Sequence, residues 1–524
     1  MHPTQAQLPR RNEAAGGPFL SVTSPGTNQA RLKGESCSQV SGWRTRLTLA
    51  VLLLGAAGAV EVNAAKPSAV GDWPRWAGPH GDCTSAEKGL LRTWPKDGPK
   101  VIWKIAVAAG SNHPSVAGDD LCYAQLEDSQ RKETVKCIDA NTGKERWSYT
   151  YDVPPIWHVG WGALGVRATP TITEKCVYAI GTFGDAFCFD RNTGAIVWKH
   201  NFKEESPYLN NSLKGNGNLE WKGFNGSLIP VGDKIPYFYW QGGNPAIAAW
   251  AKTDVSNKMQ VYSLDAATGK VAWKYEEDCL PGSRGPGLVT GPSLPIKFKG
   301  EDCLVVHGNR QWKILRQSDG QQVWKWECTG PQDSPGWASG GLRPVGRNLY
   351  LNSLNGWVPS LVECDFSEPD PKPKVIWTNH GIHDAVTPPV IWDGCIYGFY
   401  IDSRKEASDI GAKPGEQNFS FRCSDLKTGK LLWKEPGFHL GLSITAADGL
   451  LFIHDHRRLT LVEASASCYQ QRGRVENLHP LANIGRNKER GLLDWSMPVI
   501  AGGRLFVRTP VEIICYDIKD SQAK

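Results

Sequence analysis

Methionine is scarce in this chain, with 3 residues in 524, and no block of basic residues stands out. The formal charge of +6 is mild, so the electrostatic footprint of a nucleic-acid binder is missing. Long apolar runs are missing too. The one candidate, Leu47–Val60, falls short of the roughly 20 residues that cross a bilayer. No Cys-x-x-Cys-His site and no zinc-type cysteine pairing occur, which excludes covalent haem and the common zinc modules. No Ser-His-Asp ordering, nucleophile elbow or phosphate-cradling glycine loop can be assigned, so serine-hydrolase and P-loop chemistry have no motif behind them.

The apolar run instead reads as the core of a secretory signal. Arg44 and Arg46 precede it and Val62-Asn63-Ala64 offers small residues for cleavage. Residues 1–64 are therefore expected to be a disordered leader plus signal peptide, and the mature chain to lack a membrane span. Arg10-Arg11 lies far from the run, against twin-arginine export, and no cysteine follows closely, against a lipid anchor. Export usually brings disulfides. Here, however, Cys137, Cys188, Cys423 and Cys515 each fall two residues before an Asp that ends an apolar strand. Cysteine locked to one repeat position is expected to be a buried thiol.

The stretch most fully present is Asp425-Leu-Lys-Thr428-Gly429-Lys-Leu-Leu-Trp433, which reads as strand end, tight turn and new strand. The same spacing recurs with Asp139, Thr142, Gly143 and Trp147, with Asp190, Thr193, Gly194 and Trp198, and with Asp265, Thr268, Gly269 and Trp273. A degraded copy has Arg316, Asp319, Gly320 and Trp324, and Trp377 and Trp103 keep only the Trp strand. From Trp103 to Trp433 the Trp-to-Trp intervals are 44, 51, 75, 51, 53 and 56 residues. A long, near-constant period with β punctuation marks a repeat architecture.

This pattern resembles the tryptophan-docking repeat of pyrroloquinoline-quinone-type (PQQ-like) β-propellers. That family includes quinoprotein alcohol dehydrogenases and propellers of outer-membrane protein assembly. The resemblance implies an all-β, eight-bladed β-propeller of four-stranded antiparallel blades over residues 101–517. Residues 65–100 form a lead-in and 518–524 a tail. The last unit shows three strands, and the lone Trp103 strand is expected to complete it, closing the ring.

In such a blade the A–B and C–D turns share one face and the D–A and B–C connections the other. The long connections (151–166, 203–223, 242–259 and 402–417) all belong to the second set. Segments longer than about 12 residues are uncommon unless functional or disordered, so this face is the expected binding face. Residues opening the innermost strands should ring the channel mouth: His113, Arg167, Asn225, Arg284, Ser339, His383 with Asp384, Ser443, and Asp494 with Trp495. The expected turn His454-Asp455-His456-Arg457 adds His454 and His456 as the candidate metal pair.

The resemblance admits two functions. One is an exported periplasmic or cell-envelope binding or scaffold module, monomeric, with an envelope protein or small molecule as partner and no nucleic acid. The other is a quinone-dependent alcohol-type dehydrogenase with PQQ and calcium on the same face. Family enzymes set an adjacent Cys-Cys pair against the quinone, and this sequence has none.

Overall fold

A computed structural model describes residues 71–127, 131–154, 165–202, 224, 226–241, 258–278, 294–308, 311–327, 342–346, 348–353, 359–378, 388–401, 419–439, 442–455, 458–478 and 496–522. All of them belong to the compact unit Ala59–Lys524. Eight sheets account for the strands of the described residues. Sheet 1 is an antiparallel meander of Ser115–Ala117, Asp120–Leu126, Lys132–Asp139 and Glu145–Asp152. Sheet 2 repeats it with Thr171–Ile172, Cys176–Ile180, Asp185–Asp190 and Ile196–Asn201. Sheet 3 has three described strands, Lys234–Gln241, Lys258–Asp265 and Val271–Asp278. Its innermost position is reduced to a bridge between Val231 and Lys234.

Four strands each make sheet 4 (Leu294–Phe298 to Gln322–Glu327), sheet 5 (Arg343–Val345 to Lys374–Thr378) and sheet 6 (Val390–Trp392 to Leu431–Phe438). Sheet 7 runs Leu442–Ala447, Leu450–Asp455, Arg458–Glu463 and Gln471–Val475. Thr84–Ser85 joins its inner edge in parallel, making five strands. Sheet 8 consists of Val499–Ala501, Arg504–Arg508 and Glu512–Asp517, with Lys100–Ala106 antiparallel on its outer side.

The repeated turn explains itself chemically. The Oδ1 atoms of Asp139, Asp190, Asp265 and Asp425 accept the backbone N–H of Thr142, Thr193, Thr268 and Thr428 at 2.8–2.9 Å. The same oxygens accept the threonine hydroxyls at 2.6–3.0 Å. Those bonds hold the carboxyls of Asp190, Asp265 and Asp425 below the usual range. Glycine is needed twice over at this turn. Gly194 and Gly269 have φ of 70° and 68°. A Cβ would also lie 2.6 Å from Trp147 and 2.5 Å from Trp198, respectively. The fit at Gly143 differs from the one the repeat leads one to expect. Its φ is 73°, but a Cβ there would come no nearer than 3.1 Å to Trp103 and Ile105. At Gly143 the backbone conformation, rather than the neighbouring ring, is therefore what demands glycine.

Those rings come from the preceding sheet. Nε1–H of Trp147, Trp198 and Trp273 donates to the carbonyls of Arg191, Ala266 and Gln317 on the next sheet. Trp377 and Trp433 donate likewise to Leu426 and Ser465. Trp103, on the outer strand of sheet 8, donates to Ala140 of sheet 1 at 3.0 Å. Trp324 meets Phe366 instead, edge-on at 5.9 Å, because a proline-rich connection replaces the Thr-Gly turn there. The outer strand of sheet 7 carries Gly473 opposite Leu461, where the other sheets carry tryptophan. Trp94 of the lead-in fills that space, and a Cβ on Gly473 would lie 2.6 Å from the Trp94 Cβ.

Cysteine sits under these rings. Cys137, Cys188, Cys423 and Cys515 are the cross-strand partners of Trp147, Trp198, Trp433 and Trp103. The 11 described cysteines form no disulfide among themselves, and nine of them are buried. Burial pushes the thiol of Cys303 up to about 11 and those of Cys364 and Cys515 up to about 12. A thiol reagent at pH 8 should modify few cysteines in the native protein and most of them in urea without reductant. Disulfide-linked peptides found by mass spectrometry at these positions would contradict the assignment.

Candidate binding face and its axial strap

In each meander the A–B and C–D turns leave one end of the sheet and the B–C and D–A connections the other. The described A–B turns are short, such as Ala117–Asp120, Trp392–Cys395 and Ala447–Leu450. The segments 203–223, 242–257, 279–293, 402–418 and 479–495 all belong to the B–C or D–A set. The turn end is also locked electrostatically. Asp120 accepts Arg146 Nη1 at 2.7 Å and Arg191 Nε at 2.6 Å, joining sheets 1 and 2.

The lead-in is the element that sequence reasoning missed. Trp73 exchanges backbone hydrogen bonds with Val116 on the innermost strand of sheet 1 (2.7 and 2.8 Å), and Ile172 of sheet 2 donates to the Pro74 carbonyl at 2.8 Å. The chain turns through Ala77 and Cys83, both with positive φ (57° and 63°). It then descends beside sheet 7, where Ala446 donates to the Cys83 carbonyl at 3.0 Å. Trp76, Ala77 and Cys83 share one buried cluster with Ile229, Val390 of sheet 6, Ile444 of sheet 7 and Met497. Because Trp73 pairs antiparallel with Val116, the strap rises from the turn end, and its bend lies level with the start of the inner strands. The signal available in the sequence was the aromatic and glycine-rich run Trp73-Pro-Arg-Trp76-Ala-Gly-Pro-His-Gly81.

His113, expected at the channel mouth, is buried beneath this strap at 2% exposure. Its Nδ1–H donates to the Pro114 carbonyl at 3.0 Å, and Nε2 accepts the Ala77 N–H at 3.4 Å. Trp73 meets the ring edge-on at 6.4 Å. Burial pushes its pKa from 6.5 down to about 4. Between those values an unfolded chain binds a proton that the folded chain does not. The stability His113 contributes is therefore complete above pH 6.5 and declines as pH falls toward 4, by about 3 kcal/mol. Urea unfolding measured from pH 7 to pH 4 should show a shallower decline for His113→Gln. Equal slopes in the two proteins would contradict this environment.

Arg167 is half-buried just before the inner strand of sheet 2, and burial lowers its pKa to about 10. Ser443 is buried on sheet 7 and donates to the Ser496 carbonyl at 2.9 Å. His454 and Asp455 do not lie in a turn: both end the strand Leu450–Asp455 and are fully buried. His454 Nδ1 lies 3.1 Å from the Ser496 carbonyl, and Asp455 is gripped by Arg458 through both carboxylate oxygens. The proposed partner His456, together with Asn225, Arg284, Ser339, His383, Asp384, Asp494 and Trp495, lies outside the described residues. Arg508 was not anticipated. Fully buried at the end of a sheet 8 strand, it donates from Nη1 to Asn112 Oδ1 at 2.7 Å and to the Ala124 carbonyl at 2.8 Å, stitching sheet 8 to sheet 1.

Among the described residues no three His, Cys, Asp or Glu side chains converge on a metal position, and the sequence has no adjacent Cys-Cys. No helix among them is long and apolar enough to cross a membrane.

Four-stranded meanders linked by docked tryptophans define the class as a β-propeller. A protein-family model described as "Outer membrane protein assembly factor BamB" matches residues 131–398, and the chain belongs to this family of PQQ-like propellers. It is 23% identical over 324 residues to quinohemoprotein alcohol dehydrogenase ADH-IIG of Pseudomonas putida, covering 53% of this chain and 39% of that protein. It is 22% identical over 391 residues to a polyvinylalcohol dehydrogenase of a Pseudomonas species, covering 64% of this chain and 58% of that protein. The chain thus spans less than two thirds of these relatives. The solved quinohemoprotein alcohol dehydrogenase of Comamonas testosteroni superposes with a TM-score of 0.57 at 13% identity, over 88% of this chain and 82% of that one. At that identity the likeness speaks for the fold alone.

Proposed function

We propose that the eight sheets are the blades of one closed, monomeric ring, and that the chain is an exported binding or scaffold module of the periplasm or cell envelope. Its partner would sit on the face bearing the D–A and B–C connections. The observation that carries this reading is the inequality of the two ends. One end is closed by short turns whose polar groups are satisfied internally. At the other lie the longer connections, one of which leads into Arg167. The family's description as an assembly factor of the outer membrane favours a protein partner over a substrate. Asn225, His383, Asp384, Asp494 and Trp495 are proposed to complete the mouth, where a guanidinium can hold a carboxylate by paired hydrogen bonds.

A photo-crosslinking residue placed in segment 155–164 should capture a partner in envelope preparations, whereas one at Asp393 or Asp448 should not. Arg167→Ala should lower that yield about tenfold, as expected for loss of a charge-assisted contact, with melting unchanged. Capture from the turn face alone, or lost melting stability with capture intact, would overturn the assignment.

A further inference from the structure

The strap has a role beyond joining sheets. Innermost strands of a ring present unpaired backbone groups toward the axis, and any small ligand must use that concavity. Here the concavity has an occupant. Trp73, Ala77 and Cys83 are fully buried. Between them, residues 73–85 bond or pack against inner residues of sheets 1, 2, 6, 7 and 8. A segment of thirteen residues can reach that many inner strands only where they converge.

From the contacts of residues 73–85 with these inner strands, we propose that the strap is the ring's own axial ligand, filling in cis the place a planar cofactor would take. The inference rests on the ring reading above and deepens it, since it closes the axis to small molecules. The strap satisfies the edge groups themselves: Val116 and Ile172 donate to its carbonyls, and Trp73 donates back to Val116. Its bend is fastened by Arg75 Nη2 on the Pro79 carbonyl at 2.6 Å and by Thr84 on Asp82 Oδ1 at 3.0 and 2.8 Å. Its descending arm is held by Glu87, whose carboxylate accepts the Gly503 N–H at 3.1 Å in the A–B turn of sheet 8. A tricyclic quinone bearing three carboxylates would have to displace all of these contacts. It would find in their place the apolar side chains of Val116, Val390 and Ile444 on the inner strands of sheets 1, 6 and 7.

The test uses the full chain, incubated with pyrroloquinoline quinone and calcium, passed through gel filtration, and followed by hydrogen exchange of the peptide covering residues 72–85. The expected result is no retained quinone absorbance and strap amides protected as strongly as those of Glu512–Asp517. One quinone retained per chain would overturn the proposal, whether strap protection persists (a site elsewhere) or falls (a displaceable strap). Strap amides exchanging at the rate of an unstructured peptide would overturn it as well. Failure of the ring itself is read separately, from the closing strand.

Discussion

Trp198→Ala is expected to cost about 3–5 kcal/mol, the usual range for emptying a large buried aromatic. Trp198 is 6% exposed, donates Nε1–H to the Ala266 carbonyl at 2.9 Å, and covers Gly269 so closely that a Cβ there would approach to 2.5 Å. Removing the ring deletes one contact between sheets 2 and 3 and leaves the Ala266 carbonyl to the longer hydrogen bond from the Tyr178 hydroxyl at 3.4 Å. Tyr178, with its centroid 6.0 Å away, borders the resulting cavity and can only partly fill it. Trp433 makes the same hydrogen bond to Ser465 but is only half-buried, so Trp433→Ala should cost less. Urea unfolding of the two variants reads the order directly. Equal losses, or a Trp198→Ala protein as stable as the parent, would remove tryptophan docking as the source of cohesion between sheets.

Arg458→Met should be comparably damaging, at about 3–5 kcal/mol, because it strands a carboxylate rather than empties a space. Asp455 is fully buried and bonded to Arg458 through both oxygens, with the His439 N–H as a further donor at 3.0 Å. Arg458 also donates to the Gly437 carbonyl at 2.8 Å and lies over Phe438. Without the cation, Asp455 must stay ionised in an apolar site or take up a proton. The double variant Asp455→Leu/Arg458→Met removes both charges and should recover much of the loss. A single variant that unfolds like the parent would mean that this pair is solvated.

Most of the sheet architecture was legible because its determinants are local. The Asp-x-x-Thr-Gly turn uses side chains three residues apart, and each Trp follows at fixed spacing, so strand ends at Asp139, Asp190, Asp265 and Asp425 fall where the pattern puts them. What could not be read depends on contacts distant in sequence. Gly143 belongs to the same turn pattern as Gly269, yet how tightly a ring covers it is set by Trp103, a strand paired with the far end of the chain. Nothing local tells that Trp94 replaces the ring missing at Gly473, or that Trp73 and Cys83 lie against strands of opposite termini. His113 looked like a mouth residue because it opens an inner strand. Only the strap, 36 residues earlier, shows why a histidine there is buried and neutral. Likewise His454 and Asp455 resembled a polar turn because charge is read as exposure, whereas Arg458 lets the strand carry both residues inside.

Pairing of Lys100–Ala106 with Glu512–Asp517 is the contact by which one chain would close the proposed ring. It is tested most directly by deleting residues 495–524 and following hydrogen exchange of Lys100–Ala106 together with sedimentation. If the ring closes this way, those amides lose their protection and the truncated chain self-associates through its open edge. A truncated protein that stays monomeric, melts like the parent and keeps Lys100–Ala106 protected would contradict ring closure.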